Sequence, residues 1–137
     1  MIEYIINNAY GCLVFQNGTE YQFKISNLSF IKKMCFEYLF TYESYLKSVQ
    51  KKTGKVYKLP IYIDESLMMI PTQRIRNFDN IWINYAAIKK FYQHKDGIEL
   101  IFNSEIKLIV DISIESFRRE IKYLDIIKNE KVKHFHI

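Results

Sequence analysis

Two turn dipeptides, Asn17-Gly18 and Asp96-Gly97, constrain this sequence most, because each lies between two runs of apolar and aromatic residues. Asn-Gly and Asp-Gly supply the positive φ angles that two-residue hairpin turns need, so both positions predict antiparallel β-hairpins. The chain otherwise has few breaks, with four glycines and two prolines in 137 residues. It contains no internal repeat, low-complexity tract or linker, which predicts a single domain over residues 1–137.

Short apolar runs predict strands along most of the chain. These runs are 4–6, 13–15, 21–25, 61–63, 67–70, 81–83, 88–92, 98–102 and 106–112. Residues 28–50 contain neither glycine nor proline and are predicted to be helical, although aromatic residues and Thr41 weaken that pattern.

The clearest helix signal lies near the end of the chain. Ile114, Phe117, Ile121 and Leu124 recur at steps of three and four residues, which predicts one apolar helix face. Ser113 is a suitable N-cap for this helix. The polar side carries Arg118, Arg119, Lys122 and Lys128, and residues 130–137 are predicted to form a loose tail.

These elements predict an α+β fold, in which a curved antiparallel sheet is packed by the C-terminal helix. A smaller N-terminal portion, residues 1–57, would hold the first strands and the possible helical segment. Residues 58–129 would form the main sheet and its helix.

The sequence carries no motif of a serine hydrolase, metalloprotease, P-loop or dinucleotide-binding protein, so we expect no enzyme, no cofactor and no small-molecule substrate. His134 and His136 are close in sequence, but two ligands near a chain end are too few for a metal site. Cys12 and Cys35 lack the spacing of a redox or zinc motif and are expected to be buried free thiols.

No apolar run approaches the roughly 20 residues that span a bilayer, and the first ten residues do not resemble a signal peptide. We therefore expect a soluble, cytoplasmic protein without a membrane partner.

Basic residues carry the strongest functional signal. The formal net charge is +5, and residues 47–58 contain no Asp or Glu. The lysines of this stretch are Lys47, Lys51, Lys52, Lys55 and Lys58. Lysines neutralise DNA phosphates, but a solvated surface in a lysine-rich protein explains the run equally well. Arg118 and Arg119 are further candidates for phosphate contacts.

A polar segment between two predicted strands, residues 72–80, holds the other two arginines, Arg74 and Arg76. Together with Thr72 and Asn77 they are candidates for reading DNA, because loops held by a sheet position functional side chains. Arginine also suits the narrow minor groove of A·T-rich DNA. The alternative is that both arginines only pair with Asp79 or solvate the loop.

Four segments in order give this sequence a resemblance to the ComK family of bacterial competence transcription factors, over roughly residues 30–125. They are 35–42 with Lys58-Leu59-Pro60-Ile61-Tyr62-Ile63-Asp64, Pro71-Thr72 with Asn80-Ile81-Trp82-Ile83-Asn84, Leu100-Ile101-Phe102-Asn103, and Ile112-Ser113-Ile114-Glu115-Ser116-Phe117. The sequence departs from the family pattern at Leu39, Thr41, Tyr45, Leu59 and Tyr123, and no counterpart of the family's long C-terminal tail is visible. A short, divergent member is therefore expected.

The resemblance implies a transcription activator that binds paired AT-rich double-stranded DNA sites, largely through the minor groove, as a homodimer or higher oligomer. A protein-interaction module that antagonises a full-length relative is the alternative, favoured by the departures at family arginine positions. A third possibility is a peripheral module whose basic face meets anionic lipid.

Overall fold

The computed structural model describes residues 1–55 and 57–135, with side chains described as far as Lys131. The elements of the described part are β1 (Ile2–Asn8), β2 (Gly11–Gln16), β3 (Thr19–Phe23), α1 (Asn27–Glu37), α2 (Tyr42–Thr53), β4 (Ile61–Asp64), β5 (Leu67–Pro71), β6 (Trp82–Asn84), a 3-10 turn (Tyr85–Ala87), β7 (Ile88–His94), β8 (Gly97–Phe102), β9 (Lys107–Val110) and α3 (Ile114–Phe135).

The strands form two antiparallel sheets. One has the order β3-β2-β1-β6-β5-β4 and the other the order β7-β8-β9. The predicted α+β class, antiparallel pairing and C-terminal helix are confirmed. The N-terminal strands are continuous with the rest of the larger sheet, because β1 pairs directly with β6 and aligns Tyr4 with Ile83. The larger sheet therefore combines both halves of the sequence.

Both predicted hairpins are present, and each depends on positive φ angles at its turn. Asn17 and Gly18 have φ angles of 50° and 83° between β2 and β3. Gly97 begins β8 with a φ of 133°, and a Cβ atom there would lie 2.0 Å from the carbonyl oxygen of Val110. Glycine is therefore required at this position by both conformation and space.

The segment predicted to be helical contains two helices rather than one. Leu39 interrupts it with a φ of 71°, and the backbone N–H of Phe40 turns back to donate to the carbonyl of Cys35. Thr41 then caps α2, since its hydroxyl oxygen accepts from the backbone N–H of Ser44 at 3.2 Å. Thr41 weakens the helical pattern because it lies at a helix start.

Helix α3 begins where the sequence predicts, and Ser113 accepts the backbone N–H of Ser116 at 3.1 Å. The helix nevertheless continues to Phe135, so the prediction of a loose tail is wrong for residues 130–135. Its later turns are held by the buried side chain of Ile127 and by Lys131, whose ammonium donates to the carbonyl of Tyr62 at 2.7 Å. Residues 136 and 137 lie outside the described part.

The core packs aromatic and branched side chains around the fully buried Trp82, Phe102 and Phe117. Cys12 and Cys35 are free and fully buried, which confirms the predicted thiols. Burial raises the pKa of Cys35 to about 11. Within the described residues, no helix has the length and apolar character needed to cross a membrane.

Leu39 offers a test of backbone strain. Its side chain is 94% exposed, so it makes little compensating contact for a left-handed conformation. We expect Leu39→Gly to raise the free energy of unfolding by about 0.5–1 kcal/mol, after allowing for the extra flexibility of glycine in the unfolded chain. Urea denaturation of the variant would measure this gain. Leu39→Ala removes the same apolar surface and keeps Cβ, and an equal gain in that variant would contradict the explanation by strain.

Candidate nucleic-acid interface

The loop of residues 72–81, here called the β5–β6 loop, joins two strands that pair Pro71 with Trp82. Ile75 packs against the hydrophobic core from the middle of this loop. Its neighbours Arg74 and Arg76 are both exposed. The alternation of apolar and basic side chains therefore packs one loop residue against the core and presents a guanidinium group on either side of it.

Buried polar groups close the base of the loop. The Asn80 side-chain oxygen accepts from the backbone N–H groups of Thr72 and Gln73, each at 2.9 Å. The hydroxyl oxygen of Thr72 accepts from the backbone N–H of Ile81 at 3.0 Å. Thr72 is only 4% exposed. These contacts give Thr72 a structural role, and its candidate DNA contact stays a prediction.

Two more asparagines tie the loop to other elements. Asn27, at the start of α1, donates its side-chain N–H to the carbonyl of Asn80 at 2.7 Å. Asn7, in β1, accepts the backbone N–H of Asn27 at 2.8 Å and donates to the carbonyl of Phe78 at 3.0 Å. We call Asn7, Asn27 and Asn80 the asparagine network. This network holds the loop against β1 and α1. It also supplies hydrogen-bond partners to buried polar groups of the loop that water reaches poorly.

The two loop arginines have different neighbours. The Arg74 guanidinium stacks over the ring of Tyr57, 4.5 Å from its centroid, in the segment after the helix. Arg76 acts at the start of the helix, where its charge partly opposes the rise that burial causes in the pKa of Tyr42. Among the described residues, neither arginine forms an ion pair with Asp79. The alternative of an Arg–Asp79 pair thus finds no support.

The lysines of residues 47–58 divide into different environments. Lys47 and Lys51 are exposed on α2, and the Lys58 side chain is partly exposed. Lys52 lies 3.5 Å from a Glu130 carboxylate oxygen on the surface. Lys55 differs from all of these, because its ammonium is 3.0 Å from Glu120 and its side chain is only 13% exposed.

Glu120 is the buried centre of this basic region. Desolvation raises the pKa of its carboxyl group, while the positive charges of Lys55, Lys58 and Arg119 oppose that rise. Lys55 also lies over the ring of Tyr123, 4.5 Å from its centroid. Lys55 therefore joins α3 to the segment after α2, which is a structural role, and its candidate phosphate contact stays a prediction.

The side chains of Arg118 and Arg119 point in different directions from α3. Successive residues of an α-helix point about 100° apart, and both neighbours of the pair, Phe117 and Glu120, are buried. The two exposed arginines therefore leave α3 on opposite sides of its buried face. Only Arg119 is among the charges that act on Glu120, so it is the member of the pair that lies beside Lys55 and Lys58.

Sequence reasoning placed Tyr57 near the lysine run but assigned no site role to it or to Phe78. Phe78 is 61% exposed in the β5–β6 loop, and Tyr57 is 60% exposed beneath Arg74. The signal for Phe78 is present in the sequence, because it is the one aromatic residue in the largely polar segment 72–80. Tyr57 carries no such signal, since its partnership with Arg74 is formed only by the fold.

Comparison with known proteins gives one result. A family model described as "ComK protein" matches residues 2–130. The chain belongs to the ComK family. Neither the curated proteins nor the solved structures include a significant match. At the level of the family, membership supports competence-related transcription regulation, and ComK proteins are transcription factors rather than enzymes.

The ComK match extends the resemblance found in residues 30–125 to the N-terminal strands, in agreement with their place in the larger sheet. Within the described residues, no group of three or more His, Cys, Asp or Glu side chains is arranged to hold a metal ion. His136 and the side chain of His134 lie outside the described part.

The structural role of Lys55 is testable through stability. Lys55→Ala leaves the Glu120 carboxylate buried without its cation, so we expect a loss of up to about 3 kcal/mol of unfolding free energy at neutral pH. The loss should shrink toward pH 4, because removing Lys55 raises the pKa of Glu120 further. A carboxyl group whose pKa is raised by folding stabilises the protein at pH values below its pKa in the unfolded chain. This stabilisation is lost as the pH rises through its pKa in the folded protein.

Urea denaturation from about pH 4 to pH 7 would measure this dependence. Lys51→Ala is the matched control, since Lys51 is exposed in the same basic stretch, and it should change stability by less than about 0.5 kcal/mol. Similar effects of the two substitutions at pH 7 would contradict a structural role for Lys55.

Proposed function

We propose that this ComK-family protein is a cytoplasmic transcription regulator that binds double-stranded, AT-rich DNA largely through the minor groove. The observation that carries the proposal is a pair of exposed arginines, Arg74 and Arg76, on a loop fixed by a buried hydrogen-bond network. Arginine loses its water more readily than lysine, and its planar guanidinium fits the narrow, strongly negative A·T minor groove. Asn77 belongs to the same proposed surface, because it is exposed beside Arg76.

Phosphate contacts come in this proposal from exposed or partly exposed basic side chains of α2, of the segment after it and of α3. Their members are Lys47, Lys51, Lys52, Lys58, Arg118 and Arg119. Arg119 and Lys58 act together on Glu120, and Tyr57 links Arg74 to the chain segment of Lys58. The Lys52–Glu130 pair is a surface contact, which contributes little and can be exchanged for a phosphate. Contacts of this kind position a protein on DNA without reading its sequence.

Replacement of the loop arginines tests the proposed readout. Arg74→Ala or Arg76→Ala should weaken binding to an AT-rich duplex by about 1–3 kcal/mol, the range for losing a good groove contact. Binding to a GC-rich duplex should change much less. Fluorescence anisotropy with both duplexes, over a series of salt concentrations, measures affinity and selectivity together.

Two control variants separate readout from charge. Lys51→Ala should weaken binding to both duplexes alike and reduce the slope of log affinity against log salt by roughly 0.9. Arg74→Lys keeps the charge but loses the planar group, so it should lower AT selectivity while retaining the salt slope. Equal losses on both duplexes for the arginine variants would reduce these residues to phosphate contacts.

We further propose that the protein binds paired sites as a homodimer or a higher oligomer. A protein with two-fold symmetry reads two half-sites with two copies of one surface. Sedimentation of the protein with a duplex that contains two AT-rich boxes should give at least two chains per duplex. A complex of one chain per duplex at saturating protein would contradict this proposal.

A protein-interaction module is a second candidate function, because the turn between α1 and α2 exposes adjacent apolar side chains. Phe36 is 74% exposed, Tyr38 43% and Leu39 94%. Contiguous apolar surface of this kind is typical of a protein-binding site. Its partner would be a full-length relative, and a chain that fails to bind either duplex but binds that relative would favour this candidate.

A further inference from the structure

The tip of the β5–β6 loop presents a large aromatic side chain to solvent. Phe78 is 61% exposed, whereas the other apolar residues of the loop, Ile75 and Ile81, pack against the core. A single exposed aromatic residue is common on protein surfaces, so exposure alone carries no meaning. The conformation of the residues around Phe78 is what distinguishes this one.

Hydrogen bonds hold the backbone of the tip on both sides of Phe78. The backbone N–H of Asn77 donates to the carbonyl of Arg74 at 2.9 Å, and its carbonyl accepts from Asn80 at 3.1 Å. The side-chain oxygen of Asn77 accepts from the backbone N–H of Asp79 at 2.9 Å. The carbonyl of Phe78 itself accepts from Asn7 at 3.0 Å. The ring is therefore carried by a preformed turn.

This rigid apolar tip lies on the loop that carries Arg74 and Arg76. Proteins that bind the minor groove often insert an apolar side chain between two base pairs, which partly unstacks them and bends the duplex. Pyrimidine–purine steps such as TA open most easily, and AT-rich sites contain many of them. A rigid tip suits this use, because a flexible loop would lose entropy on insertion.

Resting on the proposed DNA-binding function, we propose that Phe78 is an apolar wedge that enters an A·T-rich base step from the minor groove, while Arg74 and Arg76 hold the groove on either side. Asn77, Phe78 and Asp79 at the tip carry no positive charge, so the tip itself offers no ionic contact to a phosphate. An apolar contact with the base stack is therefore favoured over an ionic contact with the backbone. Phe78 then contributes to selectivity, since stacked G·C-rich steps resist opening.

The test uses the full chain and AT-rich duplexes that each carry 2-aminopurine at one TA step, placed in turn along the site. Unstacking raises the fluorescence of 2-aminopurine, so the unchanged protein should raise it at one step. Phe78→Ala should abolish this rise and weaken binding at least about tenfold, which is within the range for loss of one stacked contact. Phe78→Leu keeps an apolar wedge and should retain most of the rise.

Tyr92→Ala is the matched control, because Tyr92 is a 46% exposed aromatic residue in the smaller sheet. It should leave both affinity and fluorescence unchanged. Thermal unfolding of each variant checks that it is folded. If Phe78→Ala does not fold, Phe78→Leu is compared with the unchanged protein instead. The Phe78→Leu variant must then still raise the 2-aminopurine fluorescence.

The possible outcomes separate the wedge from the proposed function. A Phe78→Ala variant that binds the duplex as tightly as the unchanged protein, or that still unstacks the TA step, overturns the wedge and leaves DNA binding intact. An affinity loss without any fluorescence rise in the unchanged protein also overturns it. If Phe78→Ala instead abolishes self-association in the absence of DNA, the tip is a protein contact. If the unchanged protein binds neither duplex, the proposed function itself fails.

Discussion

The β5–β6 loop keeps its shape because buried asparagine side chains supply the hydrogen bonds that a regular turn would provide. The side-chain oxygen of Asn80 satisfies two backbone N–H groups at the start of the loop, and Asn27 satisfies the carbonyl of Asn80. A buried amide without such a partner would cost about 1–3 kcal/mol. The network thus stabilises the loop and also determines how the larger sheet joins α1, since Asn7 connects both to the tip.

The same fold distributes positive charge between structural and exposed roles. Glu120 is buried and forms an ion pair with Lys55, so the charge of one cation of the basic region is neutralised inside the protein. Its carboxylate also lowers the electrostatic repulsion among Lys58 and Arg119, whose charges act on it. The Glu120 carboxylate lies below the surface. It therefore reduces the repulsion between neighbouring cations, and it exposes almost no negative charge to a polyanion such as DNA.

Local chemistry explains how much the sequence could predict. Turn dipeptides, the Ser113 N-cap and the apolar stripe of α3 act over a few residues, so the hairpins and the helix start are confirmed. The sequence could not predict that β1 pairs with β6, because that contact joins residues about 80 positions apart. Nor could it separate Lys55 from Lys51, since only the folded chain places Glu120 beside one and not the other. Thr72 is a similar case, because a polar residue in a polar segment gives no sign of its burial.

Rigidity of the loop has a consequence for how selectivity can arise. A flexible basic loop can adapt its arginines to many phosphate positions, which favours binding without sequence preference. In the β5–β6 loop, Ile75 packs against the core and the tip is held by Asn7, so the backbone carries Arg74, Arg76 and Phe78 in a defined arrangement. In the proposed complex, the duplex must then adopt the width and base-step geometry that fit this arrangement. The energy of deforming DNA depends on its sequence, so a rigid loop can distinguish AT-rich from GC-rich sites with few specific hydrogen bonds to the bases.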